Sequence, residues 1–259
     1  MPALKGFNFQ PMKSAHTHYQ PLVGRRILIT GGTTGLGRAI ALRLSAEGAS
    51  VMIFGREKGA LDDAMRDISG NGFPTIGMTA DVTRKADIDE VFRRVDEAWG
   101  GLDVLVNNAA VSAESVEEET EEDTEYAVLT NVTGYLICAK RALGRMQENG
   151  HIVLIGSISA DEREPGGSVY VATKSAIQGF AESFRQEAAE KGIKVSLVEP
   201  GKTGSDMIEQ NFEEQRESQE KLEMLKAEDI AVAVEYILTQ PPRCNVSLIR
   251  IVPTKELAE

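Results

Sequence analysis

Two side chains in the stretch YVATK, residues 170–174, have the types and the spacing of an acid–base pair. Tyr170 and Lys174 are four residues apart, about one helical turn, so a helix would point both the same way. A free phenol has a pKa near ~10, and an ammonium group within ~4–6 Å lowers that pKa. The pair therefore predicts proton transfer, although one such spacing among five tyrosines also arises by chance.

A second candidate is the glycine-rich stretch TGGTTGLG, residues 30–37, with glycines at Gly31, Gly35 and Gly37. It follows an apolar β-branched run and opens a helical pattern. A turn in this place leaves backbone N–H groups and the positive end of a helix free to hold a pyrophosphate. A tight turn without a ligand explains many glycine motifs, but the strand-to-helix context favours dinucleotide binding.

Seven short apolar runs alternate with helical patterns and predict the elements that position these residues. The predicted strands are 26–30, 50–54, 74–80, 103–107, 151–156, 194–199 and 247–252, and the main helices are about 37–48, 57–69, 84–99, 121–147, 169–191 and 227–239. Strands that are apolar on both faces indicate a parallel sheet covered by helices on each side. The prediction is one α/β domain at 23–259 with a doubly wound, seven-stranded parallel sheet, preceded by an N-terminal extension at 1–22.

Composition and charge disfavour several classes of function. The net charge of −12 argues against nucleic acids and anionic membranes as partners, because phosphate binding needs clustered lysine and arginine. We find no apolar run near ~18 residues, which predicts no transmembrane helix, and no apolar signal segment. Two cysteines far apart fit buried thiols in a reducing cytoplasm, and three scattered histidines predict no metal site.

Taken together, these motifs resemble the short-chain dehydrogenase/reductase family in its short form. The matching motifs are T-G-x-x-x-G-x-G at 30–37, DV at 81–82, NNAA at 107–110, NV at 131–132, Ser157, Tyr170-x-x-x-Lys174 and PG at 200–201. They occur in the family's order over about 24–252. The resemblance implies a Rossmann-like fold and a homotetramer or homodimer joined through the helices at about 121–147 and 169–191. The tail at 238–254 is similar to the branch that oxidises small 3-hydroxy acids and serine-like substrates.

The resemblance implies a catalytic set of four residues. Tyr170 would be the general acid when a carbonyl is reduced and the base when an alcohol is oxidised. Lys174 would lower the pKa of Tyr170 and bind the nicotinamide ribose, and Ser157 would hold the substrate oxygen. Asn131 would keep a water in a proton path to Lys174. Capping or turn roles stay open for Ser157 and Asn131.

The resemblance also implies a larger cofactor-binding set. It comprises Gly31, Thr33, Thr34, Gly35, Leu36, Gly37, Arg56, Asp81, Val82, Asn107, Ala109, Tyr170, Lys174, Pro200, Gly201, Thr203 and Ser205. Asp81 would contact the adenine, with capping of the next helix as the alternative. Ala110 stands where the family usually has glycine, and Ser205 replaces its usual threonine.

The choice between NADP and NAD depends on the end of the second strand, VMIFGRE. Enzymes that prefer NAD usually place an acidic side chain there to hold the ribose hydroxyls. Here Gly55 stands in that place and Arg56 follows, and an arginine can give a 2′-phosphate several charge-assisted hydrogen bonds. The prediction is NADP rather than NAD. There are two alternatives: Arg56 merely opens the next helix, or Glu57 neutralises its charge.

The predicted function is an NADP(H)-dependent oxidoreductase that transfers a hydride between nicotinamide and a small carbonyl or alcohol, such as an aldehyde or a hydroxy acid. Few apolar residues follow Gly204, too few to line a site for a steroid or a long acyl chain. They form one face of a lid or pack as core, and they are Met207, Ile208, Phe212, Leu222, Met224 and Leu225. Arg163 either pairs with a substrate carboxylate or is a solvated loop residue.

Two alternative functions stay open at this point. One is a reductase of 3-oxoacyl groups bound to a carrier protein, which would require a basic docking patch beside the site. The other is a non-catalytic nucleotide-binding protein of the same fold, which the presence of both Tyr170 and Lys174 disfavours.

Overall fold

The computed structural model describes residues 18–205 and 210–255, and seven strands in these ranges form one parallel sheet. The strands are β1 (Arg26–Thr30), β2 (Ser50–Gly55), β3 (Thr75–Thr79), β4 (Val104–Asn107), β5 (His151–Ile155), β6 (Lys194–Pro200) and β7 (Leu248–Ile251). Their order across the sheet is β3-β2-β1-β4-β5-β6-β7. The predicted α/β domain with a doubly wound, seven-stranded parallel sheet is therefore confirmed.

Helices cover both faces of this sheet. Within the described ranges they are α1 (Gly35–Ala46), α2 (Lys58–Ser69), α3 (Lys85–Trp99), α4 (Glu121–Val128), α5 (Gly134–Leu143), α6 (Ser159–Glu162), α7 (Ser168–Ala189), α8 (Phe212–Glu220) and α9 (Ala227–Leu238). Successive residues of β1 point to opposite faces, so Leu28 joins the core under α3, α5 and α7, while Ile27 and Ile29 join the core under α1, α2 and α9. None of these described helices is long and apolar enough to cross a membrane.

The segment predicted as one helix at 121–147 is interrupted, so the expectation of a continuous helix was wrong. A π-helical turn, Leu129–Thr133, separates α4 from α5, and α5 ends at Leu143. Threonine and asparagine side chains compete for backbone hydrogen bonds and weaken a helix locally. Within this turn the Asn131 amide accepts from the Val111 N–H and donates to the Val111 carbonyl. The interruption packs against α7, the helix that carries Tyr170 and Lys174.

The strand order reverses between β1 and β4, and this switch point opens the crevice in which such sheets bind ligands. Thr30, at the end of β1, accepts hydrogen bonds at Oγ1 from the backbone N–H groups of Asn108 and Ala109, both at 2.8 Å. Asn108 Nδ2 in turn donates to the carbonyl oxygens of Thr30 and Gly31, at 3.0 and 3.1 Å. These bonds fix the two loops that border the crevice relative to each other.

Two predicted segments lie partly outside the described residues. Of the N-terminal extension predicted at 1–22, residues 1–17 are outside, whereas Leu22 is buried in the core and the Gln20 N–H donates to the Thr239 carbonyl. Of the segment after Gly204, Met207 and Ile208 are outside. Met224 and Leu225 pack into the protein. Phe212 and Leu222 are exposed.

Candidate active site

A cavity of about 840 Å³ lies at the carboxyl ends of the strands, over the switch point between β1 and β4. Most of the predicted site residues line this cavity: Gly31, Thr33, Thr34, Gly35, Leu36, Arg56, Val82, Ala109, Ser157, Tyr170, Lys174, Pro200, Gly201, Thr203 and Ser205. Four predicted residues do not line it, namely Gly37, Asp81, Asn107 and Asn131. The structure thus brings the glycine turn and the Ser-Tyr-Lys group to one cavity.

The glycine turn has the shape that a bound pyrophosphate requires. Gly31 and Gly35 have φ angles of +62° and +48°, which residues other than glycine rarely adopt. A Cβ atom at Gly37 would lie 2.1 Å from the Gly31 carbonyl oxygen, so α1 can approach the turn this closely only with glycine at this position. The Thr34 side chain accepts no hydrogen bond from the first turn of α1. The residues present therefore fit a dinucleotide, whose phosphates would be held at the amino end of α1.

Two of the residues that do not line the cavity support its walls. Asn107 is fully buried, and its Nδ2 donates to the Tyr135 carbonyl at 2.9 Å. The Asp81 Oδ1 accepts from the backbone and the hydroxyl of Thr83, at 2.8 and 2.7 Å. Asp81 thus forms the turn that precedes α3 but does not cap this helix, whose N-cap residue is Arg84, and the adjoining Val82 lines the cavity.

Ser157, Tyr170 and Lys174 meet at one end of the cavity. Ser157 follows β5, whereas Tyr170 and Lys174 lie on one face of α7, as their four-residue spacing predicts. The Lys174 Nζ lies 5.5 Å from the centroid of the Tyr170 ring and donates to the Ile155 carbonyl at 3.2 Å. Tyr135 Oη donates to the same carbonyl at 3.0 Å, so Ile155 anchors two side chains behind the site.

Burial controls the pKa values of this group. It raises the pKa of the Tyr170 phenol above its ordinary value, while a hydrogen bond from Ser157 acts in the opposite direction. Burial lowers the pKa of Lys174 to about 8, because the ammonium loses its hydration. Burial is the larger of the two effects on Tyr170, and the expectation that Lys174 lowers the pKa of this phenol stays a prediction.

Asn131 supports helix α7 from behind the cavity. Its Oδ1 accepts from the Val111 N–H at 2.8 Å, and its Nδ2 donates to the Val111 carbonyl at 2.9 Å and to Thr173 Oγ1 at 3.2 Å. Thr173 Oγ1 donates to the Tyr170 carbonyl at 2.8 Å. The side chain thus connects the π-helical turn to the first turn of α7. Its role in a proton path stays a prediction.

Arg56 and Tyr126 meet at the opposite end of the cavity. Both residues line it, and Arg56 Nη1 donates to Tyr126 Oη. The Arg56 guanidinium carbon also lies 5.2 Å from the centroid of the Tyr126 ring, within the range of a cation–π contact. Sequence reasoning missed Tyr126, because nothing in the local pattern of α4 relates it to a residue 70 positions earlier.

The charged residues that line the cavity do not include Arg163, which the sequence offered as a possible partner of a substrate carboxylate. Arg163 is exposed, donates from Nε to the Ala160 carbonyl at 3.0 Å and does not line the cavity, so its solvated-loop alternative fits the structure. Besides Arg56 and Lys174, the cations that line the cavity are Lys202 and Lys255, which sequence reasoning did not single out. Four carboxylates line it as well, those of Glu57, Glu162, Glu164 and Glu223. Within the described ranges, no group of three or more potential ligand residues could hold a metal ion.

Comparisons with known proteins agree with this geometry. The family model described as short chain dehydrogenase matches residues 25–216. An uncharacterised oxidoreductase of Staphylococcus epidermidis is 34% identical over 230 residues, which cover 87% of this chain and 96% of the relative. A short chain dehydrogenase from Burkholderia cenocepacia, solved in complex with NADP, is similar with a TM-score of 0.81 and 31% identity, over 90% of this chain and 98% of that one.

A more distant neighbour shares the fold. It is a 3-ketoacyl-(acyl-carrier-protein) reductase from Brucella melitensis, solved with NADH, which is similar with a TM-score of 0.78 at 23% identity over 89% of this chain and 97% of that one. The family match over most of the chain, the relative at 34% identity and the shared sheet topology confirm the resemblance read from the motifs. The chain belongs to the short-chain dehydrogenase/reductase family of oxidoreductases.

Proposed function

We propose that this protein is an NADP(H)-dependent oxidoreductase that transfers a hydride between nicotinamide and a small carbonyl or alcohol substrate. The observation that carries the proposal is the sharing of one cavity by the glycine turn and Arg56 at one end and Ser157, Tyr170 and Lys174 at the other. The nicotinamide, when bound, supplies or accepts the hydride. The protein's own residues bind the substrate oxygen and move its proton.

Each of the three catalytic side chains has a distinct task in this proposal. Because burial keeps the Tyr170 phenol protonated at neutral pH, it is ready to donate its proton to a carbonyl oxygen that is being reduced. The Ser157 hydroxyl orients that oxygen. The Lys174 ammonium favours the phenolate left behind, and it would bind the nicotinamide ribose. Alcohol oxidation runs through the same groups in reverse.

The charge of the cavity favours a small polar substrate over a carrier-bound acyl chain. The cavity is lined by four cationic side chains, Arg56, Lys174, Lys202 and Lys255, and by four carboxylates, those of Glu57, Glu162, Glu164 and Glu223. This lining has no net positive charge, whereas docking of an acidic carrier protein would need a cationic rim. The carrier-protein reductase alternative is therefore the less favoured one.

A screen of the purified protein tests the proposal. Oxidation of NADPH with small aldehydes and keto acids, and reduction of NADP with the matching alcohols and hydroxy acids, are followed by absorbance. We expect turnover with at least one small substrate and no preference for long acyl thioesters. Tight NADPH binding without turnover across the whole set would instead support the non-catalytic alternative.

The cofactor preference gives a prediction about Arg56. We expect Arg56→Ala to weaken binding of NADPH relative to NADH by roughly 10- to 100-fold, because hydrogen bonds to charged groups contribute about 1.5–3 kcal/mol. Fluorescence titration of both cofactors measures the ratio. Arg94→Ala, on the exposed surface of α3, is the matched control and should leave it unchanged. Equal affinities of the wild type for the two cofactors would contradict the NADP assignment.

We also propose that the protein forms a homodimer or homotetramer through α4, α5 and α7. Of the apolar residues on these helices, Ile177 and Phe184 are buried in the core of the chain itself, whereas Val128 and Leu136 remain 42% and 40% exposed. The outer face of α7 carries a row of small exposed residues, Ala172, Ala176 and Gly179. Small residues at this spacing allow a second helix to approach closely.

Light scattering at micromolar protein concentration tests this assembly. We expect the mass of a dimer or tetramer for the wild type, and a smaller species for Ala176→Glu, which would place a charge in the helix contact. Ala86→Glu, on an exposed face of α3, is the matched control. A monomeric mass of the wild type would refute the proposal.

A further inference from the structure

The contact between Arg56 and Tyr126 spans the crevice. Arg56 follows β2, on one side of β1, whereas Tyr126 lies on α4, which follows β4 on the other side. Arg56 Nη1 donates to Tyr126 Oη, and the guanidinium carbon lies 5.2 Å from the centroid of the ring. Both side chains line the cavity, so their contact holds the guanidinium, which stays exposed to solvent, at the cavity wall.

The side chain that holds Arg56 is neutral, in contrast to the carboxylates that bind many other arginines of the protein. Several surface arginines are bound to carboxylates, among them Arg38, Arg43, Arg66, Arg93, Arg145 and Arg216. Among the described residues, Arg56 forms no ion pair, and the adjoining Glu57 lines the cavity without pairing to it. A phenol is uncharged at neutral pH, so Tyr126 orients the guanidinium and leaves its full charge available.

From this geometry we propose that Tyr126 is a positioning residue that holds Arg56 for the 2′-phosphate of the dinucleotide and thereby increases the preference for NADP over NAD. The inference rests on the proposed function, in which Arg56 binds that phosphate. An arginine side chain loses rotamer freedom when a ligand immobilises it, and a side chain already held in place loses less. A carboxylate in the position of Tyr126 would hold Arg56 as well, but it would compete with the phosphate.

Calorimetric titration of the full chain tests the inference with two small probes, adenosine 2′,5′-bisphosphate and adenosine 5′-monophosphate, which differ in the 2′-phosphate. We expect Tyr126→Leu, which removes the ring and the hydroxyl, to reduce the affinity for the bisphosphate about tenfold and the affinity for the monophosphate less than twofold. Tyr126→Phe, which keeps the ring and loses the hydrogen bond, should reduce the affinity for the bisphosphate about threefold. Tyr236→Leu, an exposed tyrosine on α9, is the matched control.

Combining the substitutions separates this inference from the proposed function. In an Arg56→Ala background, Tyr126→Leu should cause no further change in the ratio of the two affinities, because the group that Tyr126 positions is gone. The positioning role would be overturned if Tyr126→Leu reduced the affinities for both probes equally. It would also be overturned if Tyr126→Leu changed the ratio of the affinities by the same factor in the Arg56→Ala background as in the wild type. If Arg56→Ala itself leaves the ratio unchanged, the assignment of the phosphate to Arg56 fails, and the inference fails with it.

Discussion

Replacing Tyr170 by phenylalanine should reduce turnover by at least ~10²-fold, the low end of the contribution of general acid–base catalysis. The substitution removes the phenol oxygen that exchanges the proton with the substrate. It keeps the ring, which packs against the small cluster formed by Ala113, Ala127 and Val169, so the fold and the cavity should be preserved. Steady-state turnover on the substrate found by screening, together with NADPH titration, measures both effects.

The control for this prediction is Tyr236→Phe, which removes a phenol oxygen from an exposed face of α9 outside the cavity. It should retain turnover. The dissociation constant for NADPH should change little in Tyr170→Phe, which would locate the loss in the chemical step. Near-native turnover of Tyr170→Phe would remove Tyr170 from the proton-transfer role.

Replacing Lys174 by methionine should reduce turnover by a similar factor, at least ~10²-fold, and yet stabilise the protein. A pKa of about 8, against 10.5 for a free lysine, means that burying the charged ammonium at neutral pH costs about 3 kcal/mol. Methionine fills a similar volume without charge. The Ile155 carbonyl, which accepts from Lys174, keeps its hydrogen bond from Tyr135.

Thermal unfolding at pH 7 tests the stability part of this prediction. We expect the midpoint of the variant to rise by several degrees, because 1 kcal/mol shifts it by about 2–4 °C in domains near this size. The pH dependence has a definite sign. Between pH 8 and 10.5 the lysine binds more protons in the unfolded state than in the folded state. The free energy of unfolding of the wild type therefore increases relative to that of the variant as the pH rises through this window. A lower midpoint of the variant at pH 7 would contradict the prediction.

The strands and the glycine turn were predictable from sequence because both depend on residues close together in the chain. Each observed strand agrees with its predicted range to within one residue at either end. Apolar β-branched runs favour strands wherever they occur, and the turn needs glycine at positions with positive φ, as at Gly31 and Gly35. The spacing of Tyr170 and Lys174 likewise determined by itself that the two side chains share one face of a helix.

The order of the strands, and the electrostatics of the site, were decided by the tertiary structure. The α-helical pattern at 121–147 continues in sequence across Asn131, whereas the structure has a π-helical turn there, from which the Asn131 side chain binds the Val111 backbone. The low pKa of Lys174 comes from the residues that bury it, and those belong to several elements far apart in the chain.

The contact between Arg56 and Tyr126 is the clearest feature that only the tertiary structure decided. The sequence indicated a cation at the end of β2 but left open whether Glu57 neutralises it, whether it only opens α2, or whether it faces the cofactor. The structure places Arg56 against Tyr126 of α4, which the strand order brings across the crevice from β2, and binding of the cofactor by Arg56 stays a proposal. Local patterns report the conformation of neighbouring residues, whereas the partners of a side chain depend on which distant elements the fold places beside it.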